Sequence, residues 1–149
     1  MSGKFLIDLT DARFHVDANA DVLAFIRRAN PFAHSDVGSL LLDLGESLPG
    51  VSAYSPSFAS CAYVVLHTES SRIFAIAFGQ RGLAFRPALS ERAAALADGG
   101  TAAVHIGPDW VRFAPWGTTN GPTGVNDRDA RERLRRWCAK AFDAARATE

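Results

Sequence analysis

The stretch Arg72-Ile73-Phe74-Ala75-Ile76-Ala77-Phe78 decides the fold. After the arginine it is apolar without alternation, so a strand there needs cover on both faces and belongs in the middle of a sheet. The residues before it, Ala62-Tyr63-Val64-Val65-Leu66-His67, read as a second strand, apolar on both faces until its end, and Thr68-Glu69-Ser70-Ser71 is a turn. On the other side Gly79-Gln80-Arg81-Gly82 is a hairpin turn and Leu83-Ala84-Phe85-Arg86 a third strand. Turns this short join antiparallel neighbours, so the three strands form a meander.

Helical periodicity flanks the meander. Ser35 opens a helix with the stripe Val37, Leu40, Leu41, Leu44 and Leu48. Within it Gly38 and Gly45 each cost about 1 kcal/mol relative to alanine. Pro49-Gly50 ends it. Beyond the meander, Ser90 opens a short helix that runs to Asp98 and stops at Gly99-Gly100. Residues 102–106 and 110–116 are expected as further strands. Asn126 caps a closing helix with the buried stripe Leu134, Trp137, Cys138, Ala141, Phe142 and Ala145. At the start of the chain, residues 4–9 and 13–18 alternate like the arms of a hairpin. Asn19 or Asp17 then caps a helix with the face Val22, Phe25, Ile26 and Ala29, stopped at Asn30-Pro31.

A chain of 149 residues, 48% apolar and 21% charged, fits one domain with a sizeable core. Sixteen basic and sixteen acidic residues cancel, which argues against a strong constitutive nucleic-acid binder, although a local patch is enough for weak contact. The ends differ modestly. Residues 1–50 carry four basic and seven acidic groups, and residues 127–146 seven and four, for net charges of −3 and +3. Cys61 and Cys138 make no disulfide framework. No signal peptide opens the chain and no apolar run approaches the roughly 20 residues of a membrane helix, so the expected compartment is the cytoplasm.

No catalytic signature emerges. His15, His34, His67 and His105 lack a second ligand at a zinc spacing, so no metal or cofactor is expected. Cys61 and His67 would share a strand face six residues apart, roughly 20 Å and too far for a dyad. Gly117-Thr118-Thr119-Asn120-Gly121-Pro122-Thr123-Gly124 leads into a helix N-terminus, where free N–H groups favour anions. It lacks a P-loop lysine, however, and a connector is the plainer reading. Arg128, Arg131, Arg133, Arg135, Arg136 and Lys140 cover the outer faces of the closing helix. Asp127, Asp129 and Glu132 stand four residues ahead of Arg131, Arg133 and Arg136, the pattern of a solvated, self-supporting helix. Arg72, Arg81, Arg86 and Arg112 flank the sheet, and the Gly79–Gly82 tip has the form of a wing that could enter a groove. Trp110 and Trp116, six apart, fall on one face of a regular strand and would line a small-ligand pocket there; core packing is their plainer role.

The chain resembles the MmcQ/YjbR family, whose relatives include TfoX N-terminal-like domains. The residues that carry the resemblance are Leu48-Pro49-Gly50-Val51 after a helix, Ile73-Phe74-Ala75 in a strand, Gly82-Leu83-Ala84-Phe85-Arg86, Trp110-Val111 and the closing helix, over roughly residues 36–146. The resemblance implies an α+β domain, an antiparallel sheet with helices packed on one face in a two-layer, frataxin-like arrangement, and a DNA-binding label without catalytic residues. Where family members carry lysines near the second strand and at the end of the third, this chain has Ser71-Arg72 and Arg86. Residues 1–35 lie outside the resemblance, as an extension packed on the core at 36–149, over a sheet edge or at a homodimer contact. The leading expectation is a small non-enzymatic protein that contacts nucleic-acid phosphates weakly through Arg72, Arg81, Arg86, Arg131 and Arg135. The alternative is a small-ligand or protein-binding module built around Trp110 and Trp116.

Overall fold

The apolar stretch at 73–78 becomes the third strand of a six-stranded antiparallel sheet in a computed structural model that describes residues 14–29, 31–55, 63–116 and 127–147. The strands are β1 (Ser52–Tyr54), β2 (Val64–His67), β3 (Ile73–Phe78), β4 (Gly82–Phe85), β5 (Thr101–Ala102) and β6 (Val111–Arg112), in the order β1-β2-β3-β4-β6-β5. The central strands β2, β3 and β4 are buried at every position, as their unbroken apolar runs demand.

Among the described residues four α-helices accompany the sheet: α1 (Ala20–Ala29), α2 (Ser35–Glu46), α3 (Arg92–Ala97) and α4 (Asp127–Ala147). The fold is therefore α+β. The helices α2 and α4 share one face with Val64, Leu66, Phe74, Ala77, Leu83 and Phe85. Gly45 lets α2 lie close, since a Cβ there would stand 3.0 Å from the Leu66 side chain. The expected cost of a mid-helix glycine is thus offset by tighter helix–sheet packing. At the end of α3 the Gly100 N–H returns to the Ala95 carbonyl (3.0 Å), with Gly99 in the left-handed region at φ +94°.

The opposite face has its own core. Val22, Phe25 and Ile26 of α1 pack with Phe14, Val65, Ile76 and Trp110. The described part of the N-terminal segment is therefore a layer of the domain, and the apolar stripe of α1 is spent on the sheet. A second arm of an N-terminal hairpin is not formed at 14–18. Instead Asp17–Asn19 is a 3-10 turn, and Asn19 points inward instead of capping α1. The expected first arm, 4–9, lies outside the described residues.

One irregularity assigns residues to the two cores. Leu66 pairs with Ala75 but His67 with Ile73, so Phe74 is an extra residue, a β-bulge. The bulge puts Phe74 and Ala75 on the α2/α4 face and returns Ile73 to the α1 face. Beyond β4 the strands are shorter than their sequence suggests. β5 and β6 are two residues each, and the chain between them turns so that Ala103, Ile106 and Trp110 cover the α1 face.

Helix ends also depart from expectation. His34, not Ser35, caps α2, its Nδ1 accepting from the Asp36 N–H at 3.1 Å. On α4, Glu132 pairs backward with Arg128 (3.8 Å), and Arg136 reaches across to Asp98 (2.6 Å). The Trp137 indole N–H donates to the same Asp98 carboxylate at 2.7 Å, tying α4 to the end of α3. Among the described residues, no helix is long and apolar enough to cross a membrane.

Candidate functional site

Antiparallel pairing sorts the arginines. Arg72 immediately precedes β3 and Arg86 immediately follows β4, so both stand at one end of the sheet. Arg81, in the β3–β4 turn, stands at the other, about 20 Å away at roughly 3.3 Å per strand residue. There its guanidinium lies over the Trp116 ring, 6.0 Å from the centroid. Trp116 and Arg131 line an open cleft of about 440 Å³ together with Asp36 and Asp43, whose carboxylates balance the cations. Arg135 is exposed on α4. Arg72 and Arg86 thus stand at the end of the sheet opposite Arg81, so these arginines do not form one stripe.

The two tryptophans are separated as well. A regular strand would carry both on one face, but β6 stops at Arg112. Trp110 is fully buried in the α1-side core, and Trp116 packs against the α2/α4 core. The Trp110 Nε1 has no hydrogen-bond partner among the described residues. The two rings therefore belong to cores on opposite faces of the sheet.

Among the described residues, no group of three or more His, Cys, Asp or Glu side chains could hold an ion. Burial pushes the Cys138 thiol up to about 12. His67 is buried with its ring edge-on to Phe14 at 5.0 Å. His105 is held below the usual histidine value by partial burial, then by the charges of Arg112 and Arg28. Cys61 and the loop 117–124, with its suggested anion site, lie outside the described residues.

What the fold does bring together is an amphipathic cleft of about 320 Å³ at the Arg72/Arg86 end, where the two layers diverge. Ile73 and Phe74 enter β3 at its floor, and Phe74 lies 5.8 Å from the Phe142 ring behind it. The α4 wall is Ala144, Ala145 and Ala147, side chains too small to close the gap. Pro87, Ala88 and Leu89 form the opposite rim, with Leu89 76% exposed. The two arginines differ. Arg86 is committed, donating to the Ala18 carbonyl and standing 3.6 Å from the Asp109 carboxylate. Arg72 lines the same cleft and its side chain has no hydrogen bond or ion pair with a described residue.

Beneath the cleft a single side chain locks the parts. Asn19 is fully buried, and its Nδ2 donates to the Phe14 carbonyl (3.0 Å) and the Ser71 carbonyl (2.8 Å). Its Oδ1 accepts from the Ile73 N–H at 2.8 Å. These bonds fix the turn that carries Ala18 against the turn that carries Arg72. Sequence reasoning named Arg72 and Arg86 but missed the alanine wall and the Asn19 lock. The triplet of alanines near the end of an otherwise bulky helix stripe was the available signal. Searches of family models, curated proteins and solved structures found no match to this chain.

Proposed function

We propose that this protein is a small-ligand-binding module and that its site is the cleft between the start of β3, the segment after β4 and the last turns of α4. The observation that carries the reading is a cleft with Ala144, Ala145 and Leu89 on its walls and the buried Ile73 and Phe74 at its base, beside Arg72, whose side chain has no partner among the described residues. Binding sites combine an apolar enclosure with a few polar groups that orient the ligand, at volumes of about 300–1,000 Å³. A cleft of about 320 Å³ lies at the low end of that range, which suits a ligand of few heavy atoms. The site residues of the reading are Arg72, Ile73, Phe74, Arg86 and Ala145.

Phosphate contact by Arg72, Arg81, Arg86, Arg131 and Arg135 is the rival reading, and the MmcQ/YjbR resemblance leans toward it. The order of elements supports that resemblance: helix, Pro49-Gly50, meander, short helix, Trp110-Val111 and closing helix follow one another along the chain. The nucleic-acid mechanism is weakened by the division of the arginines, by the Asp36 and Asp43 carboxylates beside Arg131, and by zero net charge. A track of phosphates needs cations on one face to release counterions together.

A fragment screen followed by backbone amide shifts in two-dimensional NMR tests the proposal. Hits are expected to move Phe74, Arg86 and Ala145 and to leave the Arg81 turn unchanged. Hits that cluster elsewhere, or an Ala145→Trp variant that folds and binds them equally well, would overturn it. A fluorescence-anisotropy titration with a DNA duplex decides the rival. No binding is expected at low salt, where electrostatic attraction is least screened. Micromolar, salt-sensitive binding lost in Arg81→Ala and Arg86→Ala would favour nucleic acid instead.

A further inference from the structure

Taking the cleft as a binding site, we infer that its ligand class is a small amphipathic monocarboxylate, with the head group on Arg72 and a short apolar body between Leu89 and the Ala144–Ala145 wall. The inference rests on the proposed binding reading and goes further by assigning the charge and shape of the ligand.

Three observations fix the sign and size of that charge. Among the described residues the charged side chains lining the cleft are Arg72, Arg86 and Asp109, which sum to +1. Arg86 and Asp109 largely satisfy each other, and Arg86 also holds the Ala18 carbonyl, so the cation left over is Arg72. The carbonyl end of α4 borders the cleft too, through Ala145 and Ala147, and it favours a cation. A helix terminus amounts to about half a charge. A full guanidinium charge outweighs it, but the surplus is small, which disfavours a dianion such as a phosphate monoester. A guanidinium presents a planar fork that matches a carboxylate in two parallel hydrogen bonds.

Shape follows from the walls. Behind Arg72 the cleft has Phe74 on its floor, Ala144 and Ala145 on one side and Leu89 on the other. None of these offers a side-chain hydrogen bond, so a polyhydroxylated anion would lose its hydration without return. A short alkyl or aryl chain loses none and gains about 25 cal/mol for each Å² of apolar area covered.

The test is an NMR titration of the full chain with hexanoate and, separately, with 1-hexanol, in wild type, Arg72→Gln and Arg72→Lys. A well-formed charge-assisted hydrogen bond is worth roughly ten- to a hundredfold in affinity, and a half-exposed arginine delivers the lower end. Hexanoate is therefore expected to bind about tenfold more tightly than hexanol and to shift Phe74, Arg86 and Ala145. Arg72→Gln should abolish the preference for hexanoate over hexanol, and Arg72→Lys should keep part of it. Equal binding of both molecules to the wild type would overturn the carboxylate assignment and leave the cleft as an apolar site. Absence of shifts with either at millimolar concentration would sink the assignment and the binding reading together.

Discussion

Asn19→Ala is the substitution that tests the architecture most directly. The side chain is fully buried and makes three hydrogen bonds of 2.8–3.0 Å across sequence separations of up to 54 residues. Each such bond contributes about 1 kcal/mol net, and a buried partner left unpaired costs about 1–3 kcal/mol. Alanine strands the Ile73 N–H and the Ser71 carbonyl. It also frees Ser71 from the contact that helps hold it at φ +68°, a conformation a non-glycine residue adopts at a cost of about 1–3 kcal/mol. The expected loss is about 3–5 kcal/mol, which is large against a total stability of about 5–15 kcal/mol. At about 2–4 °C per kcal/mol for a domain of this size, the melting midpoint falls by on the order of 10 °C. Urea denaturation at matched m-values gives the free energy, and hydrogen exchange at the Ile73 amide gives the local consequence. Asn19→Asp sharpens the test. It keeps the acceptor for Ile73 but turns a second anionic oxygen toward two carbonyls, so at neutral pH it should destabilise at least as much as alanine. Part of that loss should return in acid, when the carboxyl group is protonated and can donate. A loss below about 1 kcal/mol for Asn19→Ala, or an Asp variant indistinguishable from wild type at pH 7, would refute the lock.

Other perturbations report on the two layers separately. At Asp98 burial raises the carboxyl pKa, but hydrogen bonds from Arg136 and Trp137 and the charges of Arg136 and Arg133 outweigh it and hold the group below its ordinary value. The folded form therefore binds its proton less readily than the unfolded one. The stabilisation is present above about pH 4 and is lost as pH falls through the folded value, a slope that Asp98→Asn should flatten in acid urea titrations. His105 is likewise held below 6.5, by burial and then by Arg112 and Arg28. Stability should decline as pH drops from 6.5 toward its folded value, less steeply in His105→Gln, as read from urea midpoints at pH 7.5 and 5.5. Cys138, pushed up to about 12, should resist iodoacetamide at pH 8 in the folded protein and react in 8 M urea (~8 M being fully denaturing), followed by mass spectrometry of its peptide.

The meander was legible because its signal is local. Three apolar runs separated by two short turns admit one pairing, and the observed register joins Ile76 to Ala84 and Val65. The stripes of α1, α2 and α4 were legible from helical spacing for the same reason. What was hidden depends on partners far along the chain. Asn19 has the chemistry of a helix cap and stands at a helix start, so local rules assign it there. Only the β2–β3 turn, more than fifty residues away, offers the stronger use of both its donor and its acceptor. β1 is three residues on an exposed edge, without the alternation that marks a half-buried strand. The 110–116 segment alternates well enough to suggest a strand, but Trp110 is drawn into the α1-side core and pairing ends after two residues.

The bulge at Phe74 links the fold to the cleft. Regular pairing would have placed Ile73 on the face of Ala75 and Ala77, beneath α4, and Phe74 on the α1 face. With the extra residue, Ile73 faces the α1 layer while Phe74 faces α4, so the first two residues of β3 point to opposite layers at the point where those layers part. Both then reach the cleft floor from one strand end. The Arg86 N–H donates to the Phe74 carbonyl at 2.9 Å, carrying the ladder one step past β4 and setting Arg86 beside that floor. The Asn19 acceptor holds the Ile73 N–H, the backbone group next to the bulge. The lock, the bulge and the cleft are consecutive features of residues 71–74, so the same few residues that carry the stability of this end also shape its opening.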